Sequence, residues 1–365
     1  MRLTVDERQE RILRLVRERG SLRVAELAVA LGVSAVTTRR DVEALAELGR
    51  LRRVHGSVAW PEEEAPVTAP QPRVVLPSGV VLGLLVPAAS YYYAEVIRGA
   101  QSAAAAAGAR LILGISDYRP EEDAAQISAL LGAGVDGLLI TPSWAGSAPS
   151  AEEEQTVLGL GLPTVLLERR AVPGSGTAEL DRVCTDHVHG ACVAVRHLAD
   201  LGRRRIALLA RPGTPTTEFV EAGYHAGLDW AGLSAPVPSS TLSSHDDFEE
   251  RLREIPKAVA AGAVDGVLVH TDTDAIMLLQ QLQARGVRVP EDVSLVAYDD
   301  EMAALADVPL TAIAPPKHAL GAAAVTMLLD RLAPGPTGQS PHRHLDLLPQ
   351  LHVRASSGTA TGSTA

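Results

Sequence analysis

The chain has 365 residues, a hydrophobic content of 46% and a formal net charge of -11, so it is long enough for two or three domains with apolar cores. Its acidic balance argues against a protein that binds nucleic acid along its whole length. Residues 1–60 differ, because they hold 12 arginines against 8 acidic residues, whereas residues 61–365 hold 21 basic against 36 acidic residues. Any contact with DNA is therefore expected near the N-terminus.

Cysteine and histidine spacing argues against a metal or redox site. Cys184 and Cys192 lie eight positions apart, which fits no metal, redox or disulfide pattern. His187 and His189 form an H-x-H pair without a third ligand nearby, so surface or core histidines are the preferred interpretation. We predict no metal and no cofactor. The charged N-terminus and the absence of an apolar run of about 18 residues predict a cytoplasmic protein that does not enter a membrane.

Three helices are predicted within the first 50 residues. The first follows a capping-box pair, Thr4 and Glu7, and the second covers residues 25–31. Gly32 ends the second helix, and Ser34 can accept backbone N–H bonds as the N-cap of the third. Two short helices separated by such a turn are typical of a helix-turn-helix.

The third helix has an apolar face and a face suited to DNA. Arginine can bind guanine through a bidentate fork, and valine or threonine methyl groups can contact the thymine methyl. A solvated face whose charges serve only solubility is the alternative. A spacing of 100° per residue directs Ala35, Thr38, Val42, Leu45 and Leu48 inward, and Val36, Thr37 and Arg40 outward, with Arg39 at the boundary.

Two short strands joined by a basic turn are predicted after this helix, over residues 50–59. They would form a wing beside the helix, where phosphate contacts or minor-groove insertion are plausible roles for basic side chains. The predicted DNA-binding residues are Ser34, Val36, Thr37, Arg39, Arg40, Arg52, Arg53 and His55.

Residues 6–59 resemble the DeoR-type winged helix-turn-helix. The motifs that carry this resemblance are ELA at 26–28, VS at 33–34, TTRRD at 37–41 and VHG at 54–56. Thr38, where the family usually has an inward aliphatic residue, and Ser57, where glycine is usual, depart from the pattern. Neither departure removes a group that faces DNA.

A proline-rich, acidic segment separates this head, residues 1–60, from the rest of the chain. Residues 61–78 contain Glu62 to Glu64 between several prolines and lack helical or strand periodicity. Such a composition predicts a solvated, fairly stiff linker and a domain boundary. A functional acidic patch is the alternative.

From Val80 onward, short apolar runs alternate with helical stretches. This rhythm predicts an α/β fold with parallel, doubly wound sheets, and its recurrence after residue 183 predicts two lobes with a cleft between them. We expect the first lobe over about 79–180 plus about 316–335, and the second over about 181–315 plus the C-terminal strand. The small, polar residues 356–365 are predicted to be disordered.

Ligands of such sheets bind beyond the carboxyl ends of the strands, so the residues there are the candidates for a binding site. Asp299 is the foremost candidate, because a strand-end carboxylate can accept a pair of hydroxyl groups, as sugars present them. Capping of the following helix is the alternative role. The predicted ligand-binding residues are Tyr92, Tyr93, Asp117, Thr141, Asp272 and Asp299.

Residues 79–355 resemble the sensor module of LacI/GalR regulators, which has the fold of periplasmic sugar-binding proteins. The resemblance implies that Tyr92 and Tyr93 occupy the aromatic positions of the first lobe and Asp299 the carboxylate position of the second. The matching motifs are VLGLLVP at 81–87, RG at 98–99, GVDGL at 134–138, RHLADLGRRRIA at 196–207, VPEDVSLVAYDD at 289–300 and PLT at 309–311.

The chain departs from this second family in three features. Val220 stands where the family has a ligand-anchoring arginine, three residues before Gly223, and Thr271 stands where asparagine is common. An isopropyl group cannot replace a guanidinium, so the ligand class is open. The family's own DNA-binding head and hinge helix are replaced by the winged head and the linker.

Together these patterns predict a ligand-responsive transcriptional regulator, and specifically a repressor that binds double-stranded operator DNA as a homodimer. A sugar or related metabolite in the cleft would act as its effector. One alternative is a cytoplasmic solute-binding protein. Another is an enzyme that uses Asp272, Asp299 and Asp300, although no nucleophile elbow, phosphate loop or metal spacing accompanies these carboxylates.

Overall fold

The computed structural model describes residues 5–19, 21–47, 51–54, 57–59, 79–144, 149–171, 173–236, 244–333 and 341–358. The chain divides into two compact units, Met1–Arg73 and Val74–Ala365. The predicted linker, residues 61–78, and the capping residue Thr4 lie outside the described residues. Within the described ranges, no helix combines the length and apolar character needed to cross a bilayer.

The first unit, or head, contains three helices and a small antiparallel sheet, which confirms the predicted helices and the two wing strands. Its elements are α1 Val5–Arg19, β1 Ser21–Arg23, α2 Val24–Leu31, α3 Ala35–Glu47, β2 Arg52–Val54 and β3 Ser57–Ala59. The sheet order is β1-β3-β2, so a strand before α2 extends the wing. Ile12, Leu27 and Leu45 are fully buried and join the three helices in one apolar core.

The second unit, or body, begins with a parallel sheet of the first lobe, as predicted for a doubly wound fold. The elements of this lobe are β4 Val81–Val86, α4 Tyr92–Ala106, β5 Arg110–Ile115, α5 Pro120–Gly132, β6 Gly137–Ile140, α6 Ala151–Leu158, β7 Thr164–Leu167, β8 Asp181–Thr185, α11 Lys317–Leu332 and β13 His344–Leu347. The strand order is β13-β8-β7-β6-β4-β5. Strands β6 and β7 are buried throughout, which explains their continuous apolar sequences.

The second lobe has a sheet of five strands. Its elements are α7 His187–Asp200, β9 Ile206–Ala210, α8 Thr217–Ala231, α9 His245–Ala260, β10 Gly266–His270, α10 Asp272–Gln283, β11 Ser294–Tyr298, β12 Thr311–Ala314 and β14 Gln350–His352. The order is β14-β12-β11-β10-β9, in which only the edge strand β14 is antiparallel to its neighbour. The carboxyl ends of β9, β10 and β11 therefore meet at one edge.

Three boundaries differ from the sequence predictions. The first lobe continues beyond about residue 335, because β13 pairs with β8 in its sheet. Strand β8 pairs with β7, so the chain crosses to the second lobe after Thr185 rather than near residue 181. The predicted disorder of residues 356–365 is wrong for its first part, because Ser356 and Ser357 are buried. Ser356 Oγ donates to the carbonyl of Leu295, and Thr311 N–H donates to Ser356 Oγ. Residues 359–365 lie outside the described residues.

Two glycines permit close packing between helices α4 and α11 of the first lobe. A Cβ atom at Gly99 of α4 would lie 1.9 Å from the carbonyl oxygen of His318, and one at Gly321 of α11 would lie 2.0 Å from that of Val96. No larger residue fits without separating the helices. This contact fixes α4 against α11 and thereby positions the tyrosines at the start of α4.

Candidate functional site

The N-terminus of α3 is built as the sequence predicts. Thr37 N–H donates to Ser34 Oγ at 3.2 Å, so Ser34 acts as the cap. Thr38 is fully buried, and its hydroxyl donates to the Ser34 carbonyl, so the polar group at this inward position is satisfied. Ser34 and Arg40 are exposed and Thr37 is half-buried. These side chains are therefore accessible to a partner.

An ion pair holds α3 against α1. Arg8 Nε lies 2.8 Å from Asp41 Oδ2, and Arg8 Nη2 donates to Asp41 Oδ1 at 3.2 Å. Asp41 is buried in this contact. The aspartate of the TTRRD motif therefore orients the helix rather than facing DNA.

The remaining predicted DNA-binding residues are only partly described. The backbone of Val36 and Arg39 belongs to α3, and that of Arg52 and Arg53 to β2, but their side chains lie outside the described parts of the chain. His55 lies outside the described residues altogether. Their roles stay predictions.

A cavity of about 260 Å³ lies between the two lobes of the body, at the carboxyl ends of their strands. Sites for drug-sized ligands typically enclose about 300–1,000 Å³, so this volume favours a small metabolite. The residues that line it are Tyr91, Tyr92, Tyr93, Tyr118, Glu168, Arg169, His187, Gly213, Thr214, Pro215, Thr216, His270, Thr271 and Asp299.

Backbone strain is concentrated around this cavity. Tyr91, Tyr118, Glu168 and Asp299 line it and have φ between 49° and 87°, a region that L-residues rarely adopt. Each such residue costs on the order of 1 kcal/mol and persists where surrounding contacts enforce it. The strand ends are thus held in conformations that direct these residues to the cleft.

On the first-lobe side, Glu168 is surrounded by donors. Its Oε1 accepts from the hydroxyls of Tyr92 at 2.6 Å and Thr185 at 2.7 Å. Its Oε2 accepts from Thr185 N–H at 3.1 Å and lies 3.3 Å from His187 Nε2. Burial alone would raise the pKa of Glu168, but the hydrogen bond and charge of His187, with the two hydroxyls, lower it to about 2.

Arg169 is buried beside Glu168 and directs its donors at protein oxygens. Its Nε donates to the Pro142 carbonyl at 2.6 Å, and its Nη1 donates to the Glu168 carbonyl at 2.9 Å. These bonds connect the ends of β6 and β7. The guanidinium therefore fixes the first-lobe wall of the cavity.

On the second-lobe side, Asp299 is a buried carboxylate whose negative charge is only partly offset by neighbouring positive charges. Burial raises its pKa to about 6, and the charges of Lys317 and His187 oppose this effect only in part. The Lys317 ammonium donates to the backbone carbonyl of Asp299 and pairs with Glu301 Oε1 at 2.6 Å. Asp299 therefore has acceptor capacity for a ligand.

His270 adds a second polar group to that side. Burial, followed by the charges of His187 and Arg211, lowers the pKa of His270 to about 3, so its ring is neutral at physiological pH. Within the described chain, its buried Nδ1 has no hydrogen-bond partner. A buried nitrogen in this state indicates a missing partner.

Asp272 follows β10 but supports the site from outside the cavity. Its Oδ2 accepts from the backbone N–H groups of Glu301 at 2.7 Å and Ala303 at 3.1 Å, and its Oδ1 accepts from the Tyr91 hydroxyl. Since Tyr91 belongs to the first lobe, this bond joins the lobes. Arg170 of the first lobe also lies over the ring of Phe219 in the second, 5.6 Å from its centroid.

The cavity brings together three of the six predicted ligand-binding residues, Tyr92, Tyr93 and Asp299. Asp272 supports the adjacent loop, while Asp117 is exposed and Thr141 is fully buried, and none of the three is in the cavity lining. Val220 is buried in the apolar core of the second lobe.

Sequence reasoning missed several lining residues, including Glu168, Arg169 and His187. Glu168 and Arg169 directly follow β7, so the strand-end rule that selected Asp299 would also have selected them. The sequence favoured an ordinary surface or core histidine at His187, with metal binding as the alternative, and neither interpretation placed it in the cavity. Within the described ranges, no group of three or more potential ligands could hold a metal ion. The loop at 213–216 carried no recognisable signal.

Two family models match the chain. A DeoR-like helix-turn-helix domain matches residues 8–64, and a periplasmic binding protein-like domain matches residues 195–357. The first match corresponds to the head. The second begins within α7 and covers most of the second lobe, α11 and the C-terminal strands.

Curated relatives and a solved structure extend the similarity across the body. The transcriptional repressor CytR of Escherichia coli K12 is 27% identical over 249 residues, which are 66% of this chain and 69% of CytR. The ribose operon repressor of the same strain is 29% identical over 292 residues, or 75% of this chain and 81% of the repressor. The regulator CelR in complex with cellobiose superposes with a TM-score of 0.63 and 25% identity, covering 89% of this chain and 91% of CelR.

These relatives are transcriptional regulators rather than enzymes, and the family models place a DNA-binding type of domain before a ligand-binding type of domain. The chain is therefore a transcriptional regulator in which a DeoR-like helix-turn-helix head precedes a periplasmic binding protein-like body similar to those of these repressors.

Proposed function

We propose that this regulator is a repressor that binds operator DNA as a homodimer through the N-terminal half of α3, where Arg40 is exposed, and that a small molecule in the interlobe cavity controls this binding. The single observation that carries the proposal is the cavity itself. It is bounded by strained strand ends from both lobes and contains a buried carboxylate, Asp299, with open acceptor capacity.

Coupling would arise from closure of the cleft. Tyr91 and Asp272 already join the two lobes, and a ligand that contacts both walls would favour one relative lobe orientation. A ligand can shift operator affinity only by its difference in affinity between the two orientations. A cavity with polar groups from both lobes meets that requirement.

The effector class is proposed as a sugar or related hydroxyl-rich metabolite. Asp299, His270 and the tyrosine hydroxyls supply acceptors and donors, and the tyrosine rings supply flat apolar surfaces. Similarity to a ribose operon repressor and to a regulator in complex with cellobiose supports this class.

The DNA-binding part is tested by gel shift with the DNA upstream of the gene. We expect Arg40→Ala to weaken binding about tenfold or more, because a guanidinium contact with a base or phosphate contributes about 1–3 kcal/mol. Arg14→Ala is the matched control, since Arg14 is an exposed arginine of the same head on α1. Equal binding by the Arg40 variant and the control would refute the assignment of α3.

The ligand-binding part is tested with the same assay and a metabolite panel. A molecule that binds the cavity should change the operator affinity of the wild-type protein, and Asp299→Asn should weaken that response. Asp229→Asn is the control, because Asp229 is exposed on α8 and absent from the cavity lining. An unchanged response in the Asp299 variant would exclude the cavity as the effector site.

A further inference from the structure

The charges around the cavity are unbalanced. Its two histidines aside, carboxylates outnumber cationic side chains among the described residues that line the cavity, bond through a side chain to its lining, or pair with such residues. The carboxylates are Glu168, Asp272, Asp274, Asp299 and Glu301, and the cations are Arg169, Arg211 and Lys317. An empty cavity of this composition has an excess of negative charge, which favours positively charged ligands.

The cations already donate to protein oxygens. Lys317 pairs with the carboxylate of Glu301 and donates to the carbonyl of Asp299, and Arg211 pairs with Asp274. Arg169 donates to the carbonyls of Pro142 and Glu168, which occupies two of its five N–H groups. An anionic ligand would therefore have to compete for Lys317 and Arg211, whereas Arg169 keeps part of its donor capacity.

Four of the carboxylates have direct partners, whereas Asp299 is compensated only in part. Glu168 accepts from Tyr92, Thr185 and His187; Asp272 accepts from Tyr91 and the backbone at 301–303; Asp274 pairs with Arg211; Glu301 pairs with Lys317. Asp299 has no ion pair with Lys317, whose ammonium is directed at the carbonyl instead, and the charges of Lys317 and His187 offset its burial only in part. The least compensated negative charge of the cavity is thus localised at Asp299, which is 5% exposed.

The aromatic walls are also suited to a cation. Tyr91, Tyr92, Tyr93 and Tyr118 all line the cavity, and the face of a tyrosine ring attracts positive charge through its quadrupole. One such contact exists within the protein, because the Lys317 ammonium lies 5.4 Å from the centroid of the Tyr92 ring.

We propose that the effector is a cation, namely a small amine that also carries hydroxyl groups, with its ammonium paired to Asp299 and its faces against the tyrosine rings. This rests on the proposed function of the cavity as the effector site. Hydroxyl groups of the same ligand would meet the neutral His270 and the tyrosine hydroxyls. Amino sugars and short amino polyols are molecules of this class.

The test is isothermal titration calorimetry of the full-length protein at neutral pH with matched ligands. Each of three 2-amino hexoses, with gluco, galacto and manno configuration, is compared with its parent hexose and its N-acetyl derivative, and 2-amino-1,3-propanediol is compared with glycerol. At least one amine should bind about tenfold or more tightly than every neutral counterpart with which it is compared, since a charge-assisted bond replaces a neutral one. A neutral counterpart that binds as tightly as its amine, or no binding by any amine, would overturn the proposal.

Two variants test whether Asp299 is the residue that binds the ammonium group of the ligand. Asp299→Asn keeps the side-chain shape, and asparagine tolerates the positive φ at this position. It should reduce the preference for the amine over the parent hexose to about twofold or less, while Asp229→Asn preserves the wild-type ratio. A preserved preference in Asp299→Asn would place the cation elsewhere and refute the assignment. Circular dichroism and the thermal midpoint check that both variants fold.

Operator gel shifts with the same ligands separate this proposal from the proposed function. If a neutral sugar binds best and changes operator affinity, the effector function stands and the cationic class falls. If an amine binds through Asp299 but leaves operator affinity unchanged, the ligand class stands and the effector function falls.

Discussion

The two walls of the cavity use the same side-chain chemistry in opposite ways. On the first-lobe wall, Glu168 is buried among donors that hold it ionised, and their hydrogen bonds together with the charge of His187 outweigh the effect of burial and lower its pKa to about 2. On the second-lobe wall, Asp299 is equally buried but less compensated, and its pKa rises to about 6. The comparison indicates that the first lobe supplies a preorganised wall and the second lobe supplies the acceptor that a ligand must satisfy.

The largest expected effect is at Glu168. Replacement by glutamine should lower the free energy of unfolding of the body by about 3 kcal/mol at neutral pH, because a depressed pKa measures how strongly the folded state favours the ionised form. In the wild-type protein this stabilisation is present above the unfolded-state pKa and is lost as pH falls from about 4.5 towards 2. Chemical denaturation at several pH values measures both effects. A variant as stable as the wild type would show that the donors around Glu168 do not favour its charge.

Replacement of Asp299 should change the free energy of unfolding in the opposite direction to replacement of Glu168. Its pKa is raised from about 4 in the unfolded chain to about 6 in the folded body, so the cost of ionising this group develops between these pH values and is fully present above pH 6. The wild type should therefore gain stability as pH falls from 6 towards 4. Asp299→Asn should therefore raise the free energy of unfolding by about 2 kcal/mol at pH 7 and remove this pH dependence. The exposed Asp229→Asn is the control in the same denaturation series. A destabilised Asp299 variant would mean that protein groups compensate the carboxylate after all.

The hydrogen bond between Tyr91 and Asp272, which joins the two lobes, should contribute less to the free energy of unfolding. The Tyr91 hydroxyl donates to Asp272 across the cleft, and a hydrogen bond to a charged acceptor contributes about 1.5–3 kcal/mol. A double-mutant cycle with Tyr91→Phe and Asp272→Asn should therefore give a coupling energy of about 1–2 kcal/mol in chemical denaturation. Tyr118→Phe is the matched control, because Tyr118 also lines the cavity but is 58% exposed. Equal coupling for Tyr118 and Tyr91 would contradict a specific bond between the lobes.

Sequence patterns predicted the fold more fully than the site, for reasons that individual residues show. Hydrophobic periodicity located both sheets and the three head helices because burial alone determines those patterns. The strand-end rule located Asp299 and Asp272 at the right edge, but it could not distinguish an open carboxylate from one that accepts backbone N–H groups at 301–303. That difference depends on a loop conformation which local sequence does not encode.

The error at the C-terminus has a similar cause. Ser356 and Ser357 belong to a small, polar segment whose composition predicts disorder. Their hydroxyls instead bond to Leu295 and Thr311, which lie about 45 to 60 residues earlier in the chain. Composition describes what a segment can bury by itself, whereas order here comes from partners that only the folded sheet provides.

Thr141, which directly follows β6 in the first lobe, gives the smallest expected effect. It was predicted to bind ligand from its position after β6, yet it is fully buried and absent from the cavity lining. Among the described residues, its hydroxyl has no hydrogen-bond partner, and burying an unpaired hydroxyl is unfavourable. Thr141→Val should therefore raise the free energy of unfolding by up to about 1 kcal/mol without changing effector affinity. Thr164→Val is the control, because the Thr164 hydroxyl donates to the Leu162 carbonyl at 3.0 Å and its loss should be destabilising. If Thr141→Val weakened effector binding instead, the unpaired hydroxyl would belong to the site, and the first lobe would contribute an open group as the second lobe does.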